Sequence, residues 1–212
     1  LLPDKREYYA NAIDKSTNNP NAPEIDDKIP LTRTGQLQKR IIFKEEAPVM
    51  ITSNSSKAKY KNNGIVNGAR GKIDSIQASE TDPQIAEVVW VKFNDEKIGQ
   101  LLRLDSKHLL EKHKPKDSLA VPITRQKKQF RGKGNTEYLR DQFPLTLCYA
   151  VTAHKSQGQT LDDVIIDFSG ESRISNGSFY TAISRVKFGK NLYLRDFNPS
   201  YICLLYTSDA AD

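Results

Sequence analysis

Phe143-Pro144-Leu145-Thr146-Leu147-Cys148-Tyr149-Ala150-Val151-Thr152-Ala153, continued without a break by His154-Lys155-Ser156-Gln157-Gly158-Gln159-Thr160, is the stretch on which the fold reading turns. Written as a strand, residues 143–153 place Leu145, Leu147, Tyr149 and Val151 on one face and Thr146, Cys148, Ala150 and Thr152 on the other. Both faces are largely uncharged, as in a parallel strand covered on both sides. Val164-Ile165-Ile166 and Asn191-Leu192-Tyr193-Leu194 are further apolar strands, and Gly177 to Val186 between them reads as a helix. Strand, helix and strand in that order predict an α/β architecture built on a parallel sheet.

Upstream the texture differs. Pro3, Asp4 as a cap and Glu7 three residues later precede Tyr9 and Ile13 at four-residue spacing, which predicts a short helix over about residues 5–16. Asn18-Asn19-Pro20-Asn21-Ala22-Pro23 stops it, and the prolines up to Pro30 predict an extended surface connection. Pro48 to Ser53 reads as a strand. From Gly64 to about residue 124 short strands and turns take over. Asn63-Gly64 and Asn67-Gly68 are hairpin dipeptides, and Val89-Trp90-Val91-Lys92-Phe93 is a strand with an alternating face. That texture predicts a small β-barrel or sandwich inserted into the α/β domain.

The composition of the 212 residues narrows the class. Hydrophobic residues make up 37%, enough for a folded chain with long polar loops. No run of about 18 apolar residues is present, and Leu1-Leu2-Pro3-Asp4-Lys5 lacks the basic flank and apolar stretch of a secretory signal, so neither a membrane span nor secretion by that route is expected. Two cysteines, Cys148 and Cys203, cannot build a disulfide framework, and no Cys or His pair has zinc-finger spacing. His108 and His113, five apart among lysines, have no Cys or carboxylate pair nearby, so no metal site is expected.

The net charge of +6 fits a polyanionic partner, and its placement is more informative than its size. Residues 1–30 hold six acids and four bases, so the excess lies beyond them. Lys57, Lys59, Lys61, Arg70 and Lys72 occupy one acid-free stretch, and Arg125, Lys127, Lys128, Arg131 and Lys133 another. A charge run of this kind is ordinarily a solvated loop.

Chemistry concentrates in two motifs. Thr152 to Thr160 follows the end of a predicted strand, where ligands gather in open α/β sheets. Thr152 and Ser156 offer hydroxyl donors to phosphate oxygens, Lys155 a point charge, and Gly158 a close backbone approach. Composition alone leaves a plain polar turn equally open. The second motif is Tyr180-Thr181-Ala182-Ile183-Ser184-Arg185, where Ala182 and Ile183 suit packing on a sheet and Arg185 leaves the last helical turn. A lone arginine there ordinarily complements the helix dipole.

Taken together, these motifs resemble the C-terminal portion of superfamily 1B DNA helicases of the Pif and RecD type. The resemblance runs from Leu1-Leu2-Pro3 through Pro48-Val49-Met50, Gly64-Ile65-Val66-Asn67-Gly68-Ala69-Arg70-Gly71 and Phe143-Pro144-Leu145 into both motifs, and so covers most of the chain. It implies a RecA-like second helicase domain of the P-loop NTPase superfamily, with a parallel sheet interrupted by a small SH3-like β-barrel. The implied division is 1–60 for the first part of that domain, 61–140 for the barrel, 141–202 for the second part with the motifs, and 203–212 for a tail that reads as non-native. Carried over residue by residue, Thr152, His154, Lys155 and Ser156 face single-stranded DNA, with Lys127, Lys128 and Arg131 as further DNA contacts. Gln157 and Gly158 face the nucleotide, and Arg185 is an arginine finger toward the γ-phosphate.

The resemblance also implies ATP and Mg²⁺ as cofactors, and single-stranded DNA, DNA forks and an N-terminal RecA-like domain of the same full-length protein as partners. The compartment it implies is intracellular: nucleus or mitochondrion in a eukaryote, otherwise cytoplasm. One departure stands out. A Walker loop needs Gly, four residues, then Gly-Lys-Ser/Thr. Gly71-Lys72 follows Val66, Gly132-Lys133 follows Lys127 and Gly189-Lys190 follows Ser184 at the position of the first glycine, and none continues with Ser or Thr. The chain therefore reads as a fragment, inactive as an ATPase by itself, of an ATP-dependent DNA helicase. A non-enzymatic nucleic-acid-binding module, with Arg185 structural, is the competing expectation.

Overall fold

The computed structural model describes residues 4–19, 21–22, 25, 29–132, 136–169 and 177–199. The predicted tail 203–212, Lys133, and the prolines Pro20 and Pro23 lie outside them. The chain divides into two units, Leu1–Tyr149 and Ala150–Asp212.

The first unit is built on antiparallel strands. β1 (Tyr8–Asn11) pairs with β3 (Arg40–Phe43), so that Tyr8 lies opposite Phe43 and Ala10 opposite Ile41. β2 (Ile13–Ser16) pairs with β9 (Glu137–Gln142), which also carries β8 (Gln126–Arg131) on its other side. These pairings replace the helix predicted over 5–16. The cap-like Glu7 instead accepts a hydrogen bond from the Tyr9 hydroxyl at 2.9 Å and pairs with Lys44 at 3.1 Å. A short helix is marginal in isolation, and partners more than 25 residues away bury Ala10 completely.

The main sheet has five strands in the order β10-β4-β5-β6-β7: β4 is Pro48–Ile51, β5 Arg70–Ala78, β6 Ala86–Phe93, β7 Val121–Ile123 and β10 Leu145–Leu147. All four pairings are antiparallel. The predicted strand at Pro48 and the one at Val89 to Phe93 are present. The long doubly covered parallel strand over 143–153 is not: β10 is three residues long, pairs antiparallel at the sheet edge, and leaves Leu147 and Tyr149 40% and 49% exposed. The uncharged alternation reflects an edge strand and a loop, which share an apolar composition with a buried parallel strand.

β6 is the strand that is covered on both faces. Val89 and Val91 join the large core with Phe43, Phe143, Ile51 and Ile73, while Trp90, fully buried, turns to the other face beneath Leu109 and Leu110 of α3 (Lys107–Lys112). Among the described residues, α1 (Ala58–Asn62) and α2 (Gln100–Asp105) are the other α-helices of this unit. Neither Asn-Gly dipeptide makes a hairpin: Gly64 follows the end of α1 and Gly68 the turn into β5, both at positive φ. Gly71 permits the closest strand approach, since a Cβ there would lie 2.4 Å from the Lys92 carbonyl oxygen. Two polar staples lock the edges. Arg140, buried, donates to both Asp14 carboxylate oxygens at 2.8 and 2.7 Å and to the Leu37 carbonyl at 3.0 Å. Gln142, fully buried, donates to the Ala10 carbonyl at 2.9 Å and accepts from the Phe143 amide at 2.9 Å.

The second unit contains α4 (Ala153–Ser156), β11 (Val164–Asp167), α5 (Ser178–Ile183) and β12 (Leu192–Arg195). β11 and β12 pair in parallel, with Val164 opposite Leu192 and Ile166 opposite Leu194, as the strand, helix, strand order predicts. Phe168 at the end of β11 packs on Phe179 of α5, and Phe197 closes the cluster. No helix among the described residues is long and apolar enough to cross a membrane.

Candidate nucleotide and nucleic-acid site

The two chemical motifs meet within the second unit. α4 carries the first and packs on α5, which leads into the second. The turn after Thr152 is closed by its carbonyl, which accepts from the amides of Lys155 at 2.9 Å and Ser156 at 3.2 Å. Ser156 is buried and its hydroxyl donates to the Ala153 carbonyl at 2.7 Å, so it is committed to holding the turn. Thr152, Lys155 and Gln157 are exposed. The His154 side chain lies outside the described residues.

Gly158 takes φ of +78°, a conformation that favours glycine, and a Cβ at that position would meet nothing within 4 Å. The backbone is thus bare on that side. Gln159 returns its side-chain amide to the Lys155 carbonyl at 3.0 Å.

Immediately after this motif the chain is stitched to Arg185. The Leu161 amide donates to the Arg185 carbonyl at 2.8 Å, and the Lys187 amide donates back to the Leu161 carbonyl at 3.1 Å. The next residue, Asp162, forms an ion pair with Lys187, and its carbonyl accepts from the Asn191 side chain at 2.9 Å. Arg185 itself is half-buried. Its Nε donates to the Thr181 carbonyl at 3.0 Å and its Nη2 to the Ser184 hydroxyl at 2.8 Å. The sequence singles out Arg185 and quotes Ser184 within its motif without a role of its own, and it gives no sign of Leu161, Asp162 or Lys187, whose links to the site run through backbone groups and one ion pair.

The basic tract sits in the first unit and is a strand rather than a loop. In β8 the exposed residues are Lys127, Gln129 and Arg131, alternating with half-buried Lys128 and buried Phe130. Lys127 and Arg131 therefore share one face, and Lys128 lies on the other, where its stem approaches Gly35. Arg131 has Glu137 at 3.8 Å, a loose pair. Arg125, at the head of the strand, donates to the Asn11 and Asp141 carbonyls at 2.9 and 3.1 Å and lies over the Phe143 ring. Burial pushes its guanidinium below the ordinary arginine value, with Asp141 pulling the other way. Arg125 is thus a structural member of the tract. Lys127 also borders a cleft of about 550 Å³, together with Ser56, Glu87, Thr124 and Gln126.

A guanidinium edge and a bare backbone turn suit phosphate oxygens. Among the described residues, no group of three or more His, Cys, Asp or Glu side chains is placed to hold a metal ion.

No protein-family model matches this chain. Among curated proteins it is 47% identical over 70 residues to the ATP-dependent DNA helicase Pif1 of Bdellovibrio bacteriovorus, a match covering 33% of this chain and 16% of that protein. It is 29% identical over 180 residues to the ATP-dependent DNA helicase PIF1 of Danio rerio, covering 84% of this chain and 22% of that one. The chain thus spans about a fifth of the length of the relatives it matches. Among solved structures it resembles the Pif1 helicase of Candida albicans with a TM-score of 0.64 at 22% identity, covering 95% of this chain and 42% of the other. Bacteroides Pif1, solved in complex with ADP-AlF3 and single-stranded DNA, matches with a TM-score of 0.59 at 20% identity over 96% of this chain and 38% of that one. These two likenesses bear on the fold.

Proposed function

We propose, from a chain that is Pif1-like over 84% of its length and covers part of longer helicases, that it is a segment of an ATP-dependent DNA helicase which moves along single-stranded DNA and unwinds forks. In this reading the second unit, with part of the first, belongs to the second RecA-like domain. On this reading the chain divides into 1–60, 61–140 as an SH3-like insert, and 141–202, with the main sheet drawing strands from all three segments. The observation that carries the reading is the backbone stitch from Leu161 to Arg185 and Lys187, which ties a turn suited to a phosphodiester strand to an arginine suited to a nucleotide phosphate.

The roles follow from the chemistry of each group. Lys155 and the Thr152 hydroxyl engage phosphates of the strand without reading bases. His154 is assigned to the same side. Ser156 acts through the fold of the turn it closes, and Gln157 and Gly158 present polar backbone toward the nucleotide. ATP, held with Mg²⁺ mainly by an N-terminal RecA-like domain of the full-length protein, supplies the γ-phosphoryl group whose hydrolysis drives movement. Arg185 meets the charge that grows on that group, and a guanidinium stabilises it more as the charge develops. The protein works inside the cell on this reading, and the 212-residue chain alone turns over no ATP.

The experiment that separates this reading from a non-enzymatic binding module is ATP turnover by the full-length protein with and without single-stranded DNA. Turnover that rises with DNA is expected. DNA binding without any ATP turnover would leave only the binding module.

A further inference from the structure

If Arg185 is the residue that meets the nucleotide phosphate, something must aim it, and the end of α5 contains the means. The Arg185 amide donates to the Ala182 carbonyl at 3.2 Å, so the Thr181 carbonyl loses the amide that a continuing helix would offer it. Two side chains take its place. The Ser184 hydroxyl donates to the Thr181 carbonyl at 3.0 Å, and Arg185 Nε donates to it at 3.0 Å. A hydroxyl has one proton. With that proton spent on Thr181, the Ser184 oxygen can only accept from Arg185 Nη2, 2.8 Å away.

We propose that Ser184 is a positioning residue: its hydroxyl, with the Thr181 carbonyl, holds the Nε–Nη2 edge of the Arg185 guanidinium so that the Nη1–Nη2 edge is presented to a phosphate oxygen pair. This rests on the reading of Arg185 given above. The guanidinium is a rigid plane with five donors in a fork. Fixing one edge fixes the direction of the other, and Nη1 has no partner among the described residues. An unpinned arginine loses much side-chain freedom on reaching its target, a cost that falls at the moment of reaction unless the fold has met it beforehand. The serine is exposed, so its own burial gives it no reason to be there.

The test uses the full-length protein with ATP turnover measured at saturating single-stranded DNA. Ser184→Ala should lower kcat roughly fivefold, the worth of about one net hydrogen bond, with KM for ATP within about twofold of the unsubstituted value. Ser184→Thr, which keeps the hydroxyl, should recover kcat to within about twofold. In an Arg185→Lys background Ser184→Ala should change nothing further, because an ammonium has no Nε–Nη2 edge to hold. A serine that only finishes the helix would instead lower Tm and reduce kcat by the same factor in both backgrounds, which overturns the positioning role. The two levels fail separately. Arg185→Ala that leaves turnover within about tenfold removes the arginine reading itself, whereas a severe Arg185→Ala defect beside an unaltered Ser184→Ala removes only the role of Ser184.

Discussion

On the proposed reading, the placement of the basic tract on a strand decides which of its charges can meet a DNA strand. Lys127 and Arg131 share the exposed face of β8, while Lys128 points the other way with its stem against Gly35. Replacing all three by glutamine would treat them as equivalent, whereas replacing them by face would not. If the full-length protein neutralises about four phosphates of a single strand, log affinity falls with log salt at a slope of roughly −3, at about −0.7 per phosphate. Lys127→Gln with Arg131→Gln removes two contacts and should bring the slope to about −1.4. Between 50 and 200 mM salt that is the difference between a loss of about fiftyfold and a loss of about sevenfold. Lys128→Gln alone should leave the slope near −3. Glu137 stands 3.8 Å from Arg131, loose enough for a phosphate to displace it. Fluorescence anisotropy of a labelled oligothymidine at three salt concentrations reads all three slopes. An unchanged slope in the double variant, or equal flattening by Lys128→Gln, would refute the face assignment and return the tract to an ordinary solvated strand.

Three further expectations concern the scaffold. Arg140→Ala leaves the Asp14 carboxylate without its bidentate partner in a site where the arginine is 4% and the aspartate 17% exposed, and should cost about 3–5 kcal/mol in urea unfolding; the pair Asp14→Leu with Arg140→Met should recover most of it. Gly71→Ala drives a methyl into the Lys92 carbonyl and should cost about 1–3 kcal/mol, read in the same assay. The Asp105 carboxyl is held below its ordinary value first by the hydrogen bond from Lys59 and then by the Tyr60 hydroxyl, joining α2 to α1. Its folded pKa is depressed, so its contribution is present above the ordinary carboxylate range near 3.9 and is lost as pH falls through the folded value. Asp105→Asn should therefore reduce the loss of stability on acidification below about pH 4, as followed by thermal unfolding.

Much of the second unit was legible in the sequence. The apolar runs at Val164 and Leu192 and the helix between them are where expected, because a parallel pair flanking a helix leaves a strong local pattern. Asp4 and Glu7 misled because capping signals are local, whereas β1 and β2 form through partners at Arg40–Phe43 and Glu137–Gln142 that no short window contains. Residues 143–153 misled for a different reason: an uncharged alternation records contact with apolar surroundings, and an edge strand followed by a loop supplies it as well as a buried strand does. Within the site, Arg185 was visible as a residue type at a helix end. Its partners were not, since two of its three closest associates are the carbonyl of Thr181 and the amide of Leu161, and backbone groups carry no signature in a sequence. The split of Lys127 and Arg131 from Lys128 was hidden as long as the tract read as a loop, where alternation has no meaning.

In the proposed function, the turn after Thr152 binds the DNA strand and Arg185, joined to it within one unit, meets the nucleotide phosphate. This is tested most directly by Arg185→Ala in the full-length protein, with ATP turnover and single-stranded DNA affinity measured on the same preparation and thermal unfolding unaltered. An arginine finger contributes roughly 10³- to 10⁵-fold to turnover, about 4–7 kcal/mol, so hydrolysis should nearly vanish while the dissociation constant for DNA moves by less than about threefold. Turnover that falls less than about tenfold, or DNA affinity that collapses in parallel, would make Arg185 a helix-end or strand contact and contradict the account.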